Sequence, residues 1–360
     1  MKKILLGTAA LLGTAVMAQG ASAQVTVKFG GDIRFDAAWV EDDQPNSKDL
    51  NFQSEVRFPI TAEGKADNGL TYGAFVRLRN SGSNDLAGSP GGAASVAAST
   101  GNNLYAERKY IYVESGFGRI EMGDEYGAQT KLTGFAPVVG IGQIDGNFAD
   151  WADTGAFNYL PATYNDYTTK ISYYTPRIAG FQAGVSYAPE LGQRGDVNST
   201  TRRIKGGGYS DVVELAANYK GEFGDVTVDL GGSYAFADRD SSALPKFRTW
   251  NVSGAVGYGS VLVGGAYFDN NSILGAEQDG WNVGVAYDGG VYQVGASYGR
   301  SEFGSADDML WSIGGSYTLA PGLSLQADLY VFDAESAAPT GKATPGNDGT
   351  ILMIRTNLLF

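Results

Sequence analysis

Apolar and polar residues alternate along most of this chain with a period of two. Val25, Val27, Phe29, Ile33, Phe35, Ala37 and Trp39 fall on one face of the first such segment, and Thr26, Lys28, Gly30, Asp32, Arg34 and Asp36 on the other. A helix would scatter the apolar set around its axis, whereas a strand puts it on one side. Phe52, Val56, Phe58 and Ile60 oppose Gln53, Glu55 and Arg57 in the same way, and Val76 and Leu78 oppose Arg77 and Arg79. Phe75 is the apolar exception on that polar face. The template recurs sixteen times, at 25–39, 50–63, 70–80, 104–115, 118–124, 167–175, 181–188, 211–220, 225–236, 248–258, 260–268, 280–288, 290–299, 308–319, 322–333 and 348–360.

The connections alternate too. Short turns (64–69, 116–117, 176–180, 221–224, 259, 289 and 321) are interleaved with long ones (40–49, 81–103, 125–166, 189–210, 237–247, 269–279, 300–307 and 334–347). Sixteen strands with short turns on one rim and long loops on the other predict an all-β, antiparallel, up-and-down transmembrane barrel. Its short turns would be periplasmic and its long loops extracellular. A soluble sandwich gives no reason for that alternation. Only every second residue of such a strand meets lipid, so the moderate overall hydropathy is no objection. Trp39, Tyr187, Phe236, Trp250, Tyr258, Tyr267, Trp281, Tyr287, Tyr298, Trp311 and Tyr317 stand at strand ends, where interfacial girdles form. Pro59 lacks an N–H inside the second segment and predicts a bulge or an end of pairing there. The last segment, with Leu352, Ile354, Thr356, Leu358 and Phe360 outward, would close on the first and leave no edge in lipid.

One connection breaks the pattern. Residues 124–167 carry no sustained strand or helix period, which inside a compact protein marks a functional or disordered segment. Asp124, Glu125, Asp145, Asp150, Asp153 and Asp166 stand there against the single cation Lys131. Phe135, Phe148, Trp151, Phe157 and Tyr159 accompany them, which a solvated linker would not need. The polar faces of the preceding strands carry Arg34, Arg57, Arg77 and Arg79. These observations predict an acidic loop folded into the barrel and facing an arginine wall.

Composition narrows the chemistry. Lys2, Lys3, the apolar run Ile4 to Val16 and the small residues Ala21-Ser22-Ala23 have the layout of a secretory signal peptide covering residues 1–23. A single barrel domain would then span 24–360. Losing Lys2 and Lys3 takes Lys+Arg from 26 to 24 and the formal charge from −13 to −15. Such an acidic chain is no nucleic-acid binder by phosphate neutralisation. It has no cysteine and hence no disulfide. It has no histidine either, which excludes Ser-His-Asp hydrolysis and imidazole proton transfer. No enzyme activity is expected.

The whole stretch from Gln24 to Phe360 resembles the general porins of Gram-negative outer membranes, the sixteen-stranded trimeric kind. The resemblance is carried by the opening strand Val25 to Asp36 and by Arg108-Lys109-Tyr110-Ile111-Tyr112-Val113, running through Gly116-Phe117-Gly118-Arg119 to Met122-Gly123-Asp124-Glu125-Tyr126-Gly127. The terminal Phe360 adds to it. It implies a water-filled pore for small hydrophilic solutes and ions, a third long loop folded inward as a constriction, a homotrimer, and an outer-membrane setting with lipopolysaccharide. Arg108 matches a strand position where the family often has a pore-facing arginine. Asp124 stands where the family often has a basic residue, and the loop acids match by location alone.

Other readings stay open. The arginines fit equally as ion-pair partners of Asp32, Asp36, Glu55 and Glu107. Asp145, Asp150 and Asp153 could bind Ca2+ through hard carboxylate oxygens, or simply be solvated. Arg194, Arg202, Arg203 and Lys205 make 189–210 basic, suiting lipid phosphates or plain solvent. The Gly/Ala/Ser-rich stretch 81–103 suits a latch onto a neighbouring subunit or a flexible loop. For function, a general diffusion channel with weak cation preference competes with a channel selective for sugars or organic acids. The latter would show an aromatic slide or an arginine ladder along the pore.

Overall fold

A computed structural model describes residues 25–80, 104–154, 159–161, 166–195, 208–271, 277–337 and 342–360. The leader with its cleavage site, the 81–103 stretch, Phe157, Arg202, Arg203 and Lys205 lie outside the described residues. The strands are β1 (Thr26–Phe29), β2 (Asp32–Asp42), β3 (Leu50–Lys65), β4 (Thr71–Asn80), β5 (Leu104–Ser115), β6 (Gly118–Asp124), β7 (Thr169–Tyr174), β8 (Phe181–Glu190) and β9 (Tyr209–Phe223). They continue with β10 (Val226–Arg239), β11 (Phe247–Tyr258), β12 (Val261–Asp269), β13 (Gln278–Asp288), β14 (Tyr292–Phe303), β15 (Ala306–Ala320), β16 (Leu323–Ala334) and β17 (Asn347–Leu359).

From β2 onward each strand pairs antiparallel with its successor, and β17 pairs with β2 from Gly349↔Asp42 to Leu359↔Asp32. The sheet is a closed sixteen-stranded barrel, with β1 an extra piece of the opening strand. A closed ring leaves no row of unpaired backbone groups in lipid.

The opening strand breaks at Gly30–Gly31 for a visible reason. Gly31 exchanges backbone hydrogen bonds with Phe360, N to O at 2.7 Å and the reverse at 3.0 Å. A Cβ on Gly31 would sit 2.2 Å from the Phe360 ring, so only glycine lets that ring lie across the strand. The predicted interruption at Pro59 is transferred to its neighbour. β3 runs through Pro59 in unbroken register with β4. The Pro59 carbonyl accepts from Gly30 N at 3.0 Å, so the side on which its N–H is missing faces the break between β1 and β2. No acceptor there is left waiting.

The apolar face of the sequence pattern is the outer surface. Ile33, Phe35, Trp39, Phe52, Val252, Val283, Ile313, Val331 and Leu352 are all exposed, as a lipid-facing band requires. Aromatic pairs ring its ends, among them Trp250–Tyr267 at 5.4 Å between centroids and Tyr298–Trp311 at 4.3 Å. The main core lies inside the barrel. Ile141, Ile144, Phe148 and Tyr159 of the long loop pack there against Leu310, Tyr330, Phe332, Ile351 and Met353 of β15–β17.

Candidate functional site

The segment after β6 enters the barrel and follows its inner wall. A short helix, α1 (Ala128–Leu132), buries Ala128 and Leu132 against Tyr174 and Ala216. It is fastened by Ala128 N to Ser186 Oγ at 2.8 Å. Further on, Gly134 N donates to Ser253 Oγ on β11 at 2.8 Å, and Ala136 N to Asn282 Oδ1 on β13 at 2.7 Å. Ile141 N and Gln143 N donate to the two oxygens of Asp328 on β16, at 3.1 and 2.8 Å. Near its far end, Arg355 Nη2 on β17 donates to Asn147 Oδ1 at 3.3 Å, and Asn347 Nδ2 donates to the Asp153 carbonyl at 2.8 Å. The loop thus covers the inner wall from β8 round to β17.

Glycines in the wall make room for it. A Cβ on Gly284 would come within 2.9 Å of the Pro137 carbonyl, and one on Gly299 within 2.6 Å of Ile144 Cδ1. Loop backbone at membrane depth is tolerated because side chains of the wall satisfy it.

Among the described residues the loop's core reaches Ala38 on β2 and leaves the rest of the β2–β5 arc uncovered; that arc carries all five arginines named from the sequence. Arg34 Nη2 meets Asp32 at 2.6 Å, Arg77 Nε meets Glu107 at 2.5 Å, and Arg57 pairs with Glu55. Arg79 bridges Glu55 at 3.1 Å and Glu107 at 3.0 Å. Arg108 Nη2 reaches Glu125 at 2.5 Å. Of the ion-pair partners read from the sequence, Asp32, Glu55 and Glu107 hold these arginines, whereas Asp36 pairs with Arg355 and Arg108 takes Glu125. Strict alternation would turn Glu107 and Arg108 to opposite faces. A β-bulge opposite Arg77, where the register slips from Arg77↔Arg108 to Leu78↔Ala106, turns both inward. The partners differ in depth. The side chain of Arg77 is 15% exposed against 3% for Glu107, and Arg108 16% against 2% for Glu125. Lumen water meets the guanidiniums, with the carboxylates behind them.

The comparisons with known proteins agree with this architecture. The model of the "Gram-negative porin" family matches residues 7–337. The chain belongs to that porin family. A curated porin of Rhodobacter capsulatus is 26% identical over 83% of this chain and 92% of its own length. An uncharacterized protein of Rickettsia conorii is 24% identical over the full length of both. Among solved structures, a porin refined at 1.8 Å resolution covers 93% of this chain and all of its own, with a TM-score of 0.61 at 20% identity. An engineered Rh. blastica porin matches over the same share with a TM-score of 0.61 at 15% identity.

The acids of the porin loop separate into two groups. Asp124, placed in the acidic constriction from the sequence, is the last residue of β6 and faces outward with Ile120 and Met122. It pairs with Lys109 at 2.5 Å and accepts from Thr169 Oγ1 at 2.6 Å, and the next residue of its partner's face, Ile111, is 53% exposed. Alternation within β6, with Arg119 and Glu121 inward, already carried that signal. Glu125 faces inward but is consumed by Arg108 and Lys131 behind the arginine arc. Asp145, Asp150 and Asp153 are the exposed ones. Asp150 accepts from Asn147 Nδ2 at 3.0 Å. The three are not gathered into a cation site: among the described residues no group of three or more carboxylates is placed to hold a metal.

Asp145, in the short turn Gln143–Asp145, is open to the lumen yet enclosed by protein at longer range. That enclosure pushes its pKa up, to about 6, while Arg57 on the facing wall pulls it down. Its carboxylate therefore takes up a proton in mild acid.

Sequence reasoning missed three wall residues. Arg355, inward on β17, makes a bidentate pair with Asp36 at 2.6 and 2.8 Å and also holds Asn147. The outward set Leu352, Ile354, Thr356 and Leu358 implied its direction. Asp328 anchors the loop, and Glu121 pairs with Arg119 at 2.7 Å and with Lys131. A further signal was present: alternation lapses at Leu329-Tyr330-Val331-Phe332, where lipid covers one face and the loop covers the other.

Proposed function

We propose that this porin is a general diffusion channel, passing small hydrophilic solutes and ions through a constriction bounded by the arginine arc on one side and the loop on the other. The observation that carries the reading is the division of the inner wall: the loop occupies β8–β17 and leaves the arginines of β2–β5 facing water. Cations at the arc and lumen-open Asp145 on the loop set up a field across the narrow zone. Polar solutes align in that field, while apolar ones must displace ordered water. The surplus of acid over the chain favours cations at the mouths, so the net preference is weakly cationic.

Outer-membrane residence after leader cleavage, a homotrimer, and contact with lipopolysaccharide accompany this reading. Support for these comes from the family and from the exposed apolar band. No catalytic step is proposed, since the chain has no histidine. The test is single-channel conductance in planar bilayers with neutral sugars of rising size. A smooth cutoff in size is expected, together with a reversal potential of cationic sign under a salt gradient. Saturable block by one sugar, or clear anion selectivity among small ions, refutes the reading.

A further inference from the structure

The arc that the loop leaves bare carries more than arginines. Arg194 and Arg77 lie over the Tyr167 ring, 5.2 and 5.9 Å from its centroid. Tyr167 meets Tyr126 at 4.8 Å between centroids, the rings tilted by 45° and their hydroxyls hydrogen-bonded at 2.5 Å. Arg108 is sandwiched between Tyr126 at 4.8 Å and Phe75 at 5.0 Å. Phe75 meets Tyr110 at 5.4 Å, and Tyr110 meets Tyr112 at 6.3 Å. Lys131 lies over Tyr110 at 5.4 Å and Arg119 over Tyr112 at 3.9 Å. Phe75, Arg77, Arg108, Tyr110, Tyr112 and Arg119 lie on β4–β6, and Tyr126, Lys131, Tyr167 and Arg194 join them from the connecting segments, so rings and cations form one column from the long-loop rim toward the short-turn rim.

We propose that this column is a binding track that passes flat organic anions, ring-bearing carboxylates, ahead of aliphatic carboxylates of the same size. The proposal rests on the channel reading above and names its favoured solutes. Each guanidinium spends part of its donor edge on a neighbour: Arg77 Nε on Glu107 and Nη2 on Tyr167 Oη, Arg108 Nε and Nη2 on Glu125, Arg119 Nε on Glu121 and Nη1 on Glu114. What these arginines offer beside the half-buried rings of Phe75, Tyr110, Tyr126 and Tyr167 is the remaining Nη–H groups. An aromatic edge carries positive partial charge, and a guanidinium Nη–H edge offers a charge-assisted donor to a carboxylate. The counter-carboxylates Glu107, Glu121 and Glu125 are buried at the back of the column. A solute with an electron-rich face and one carboxylate matches both kinds of edge along its whole path. A saturated ring offers no such face, and a neutral aromatic offers no anion.

The test uses the full-length wild-type protein in planar bilayers. Benzoate, cyclohexanecarboxylate, acetate and benzyl alcohol are compared at neutral pH, where the three acids are ionised. Reversal potentials under salt gradients give the relative permeabilities of the anions. Benzyl alcohol is assayed as a blocker of the chloride current. The expected result is a benzoate permeability about two- to tenfold above that of cyclohexanecarboxylate, the scale of one edge-to-face ring contact. Benzoate current should saturate, and benzyl alcohol should block weakly. In Tyr126→Leu/Tyr167→Leu, normalised to that variant's own KCl conductance, the ratio should fall toward one. Equal benzoate and cyclohexanecarboxylate permeabilities in the wild type overturn the track and leave the channel standing. Absence of any KCl conductance overturns both. If the double variant fails to insert, the wild-type ratio alone decides.

Discussion

Asp328 is where the inserted loop can be loosened without touching a pore charge. Its two oxygens accept from Ile141 N at 3.1 Å, Gln143 N at 2.8 Å and Tyr330 Oη at 2.9 Å. Asp328→Ala removes all three acceptor contacts and strands two backbone N–H groups. A hydrogen bond to a charged acceptor contributes about 1.5–3 kcal/mol. Lumen water can rehydrate part of what is exposed, so the lower end applies, and the two backbone bonds together amount to about 3 kcal/mol. The barrel ladders do not depend on them, and the loop keeps its fasteners at Ser186, Ser253, Asn282 and Asn347. The expected phenotype is therefore local: turn 139–146 leaves the wall intermittently. Single-channel recording should show added open-channel noise and brief subconductance steps, with the midpoint of urea unfolding unchanged. Asp328→Asn retains one acceptor oxygen but turns an N–H donor toward a backbone donor, and should fall between wild type and alanine. Quiet, wild-type current in Asp328→Ala would refute the claim that this carboxylate seats the loop.

The same reasoning reaches other positions. Gly284→Leu has no room beneath the Pro137 carbonyl and should push the loop toward the arginines, lowering unitary KCl conductance in bilayer recordings. Acidification through pH 6 protonates Asp145, whose pKa is raised by enclosure, so negative charge leaves the constriction as pH falls and the reversal potential should move in the anionic direction. Asp145→Asn should remove that movement and sit at the acid value throughout. Arg355→Ala leaves Asp36 buried without its partner and should cost about 3–5 kcal/mol, read as a lowered urea midpoint, whereas Arg355→Met/Asp36→Leu should recover most of the loss.

Particular residues show how legible the site was. The inward direction of Arg34, Arg57, Arg77 and Arg79 followed from alternation with Ile33, Val56, Val76 and Leu78, and the structure keeps it. Asp124 was misplaced because it was taken with the loop rather than with the strand whose alternation it completes. Glu107 was legible as an ion-pair partner of the arginines, but not that it and its neighbour Arg108 both turn inward: a bulge adds one residue to β5, and nothing local marks where the count slips. The stacking of Phe75 beneath Arg108 explains the lone apolar residue on a polar face, which the sequence could only register as an exception.

The sequence by itself determined which side of each strand meets lipid, how many strands there are, and that the third long connection is unlike the rest. These are short-range properties, since side-chain direction in a strand depends only on the parity of neighbouring residues. The path of residues 125–154 was decided by tertiary structure alone. It rests on hydrogen bonds such as Ala136 to Asn282 and Ile141 to Asp328, between residues 146 and 187 positions apart, and on glycines that become seats only when a loop arrives. Those contacts exist only once the barrel has closed, so which arc stays bare, and which charges face water there, is set by the closed ring and its contents together.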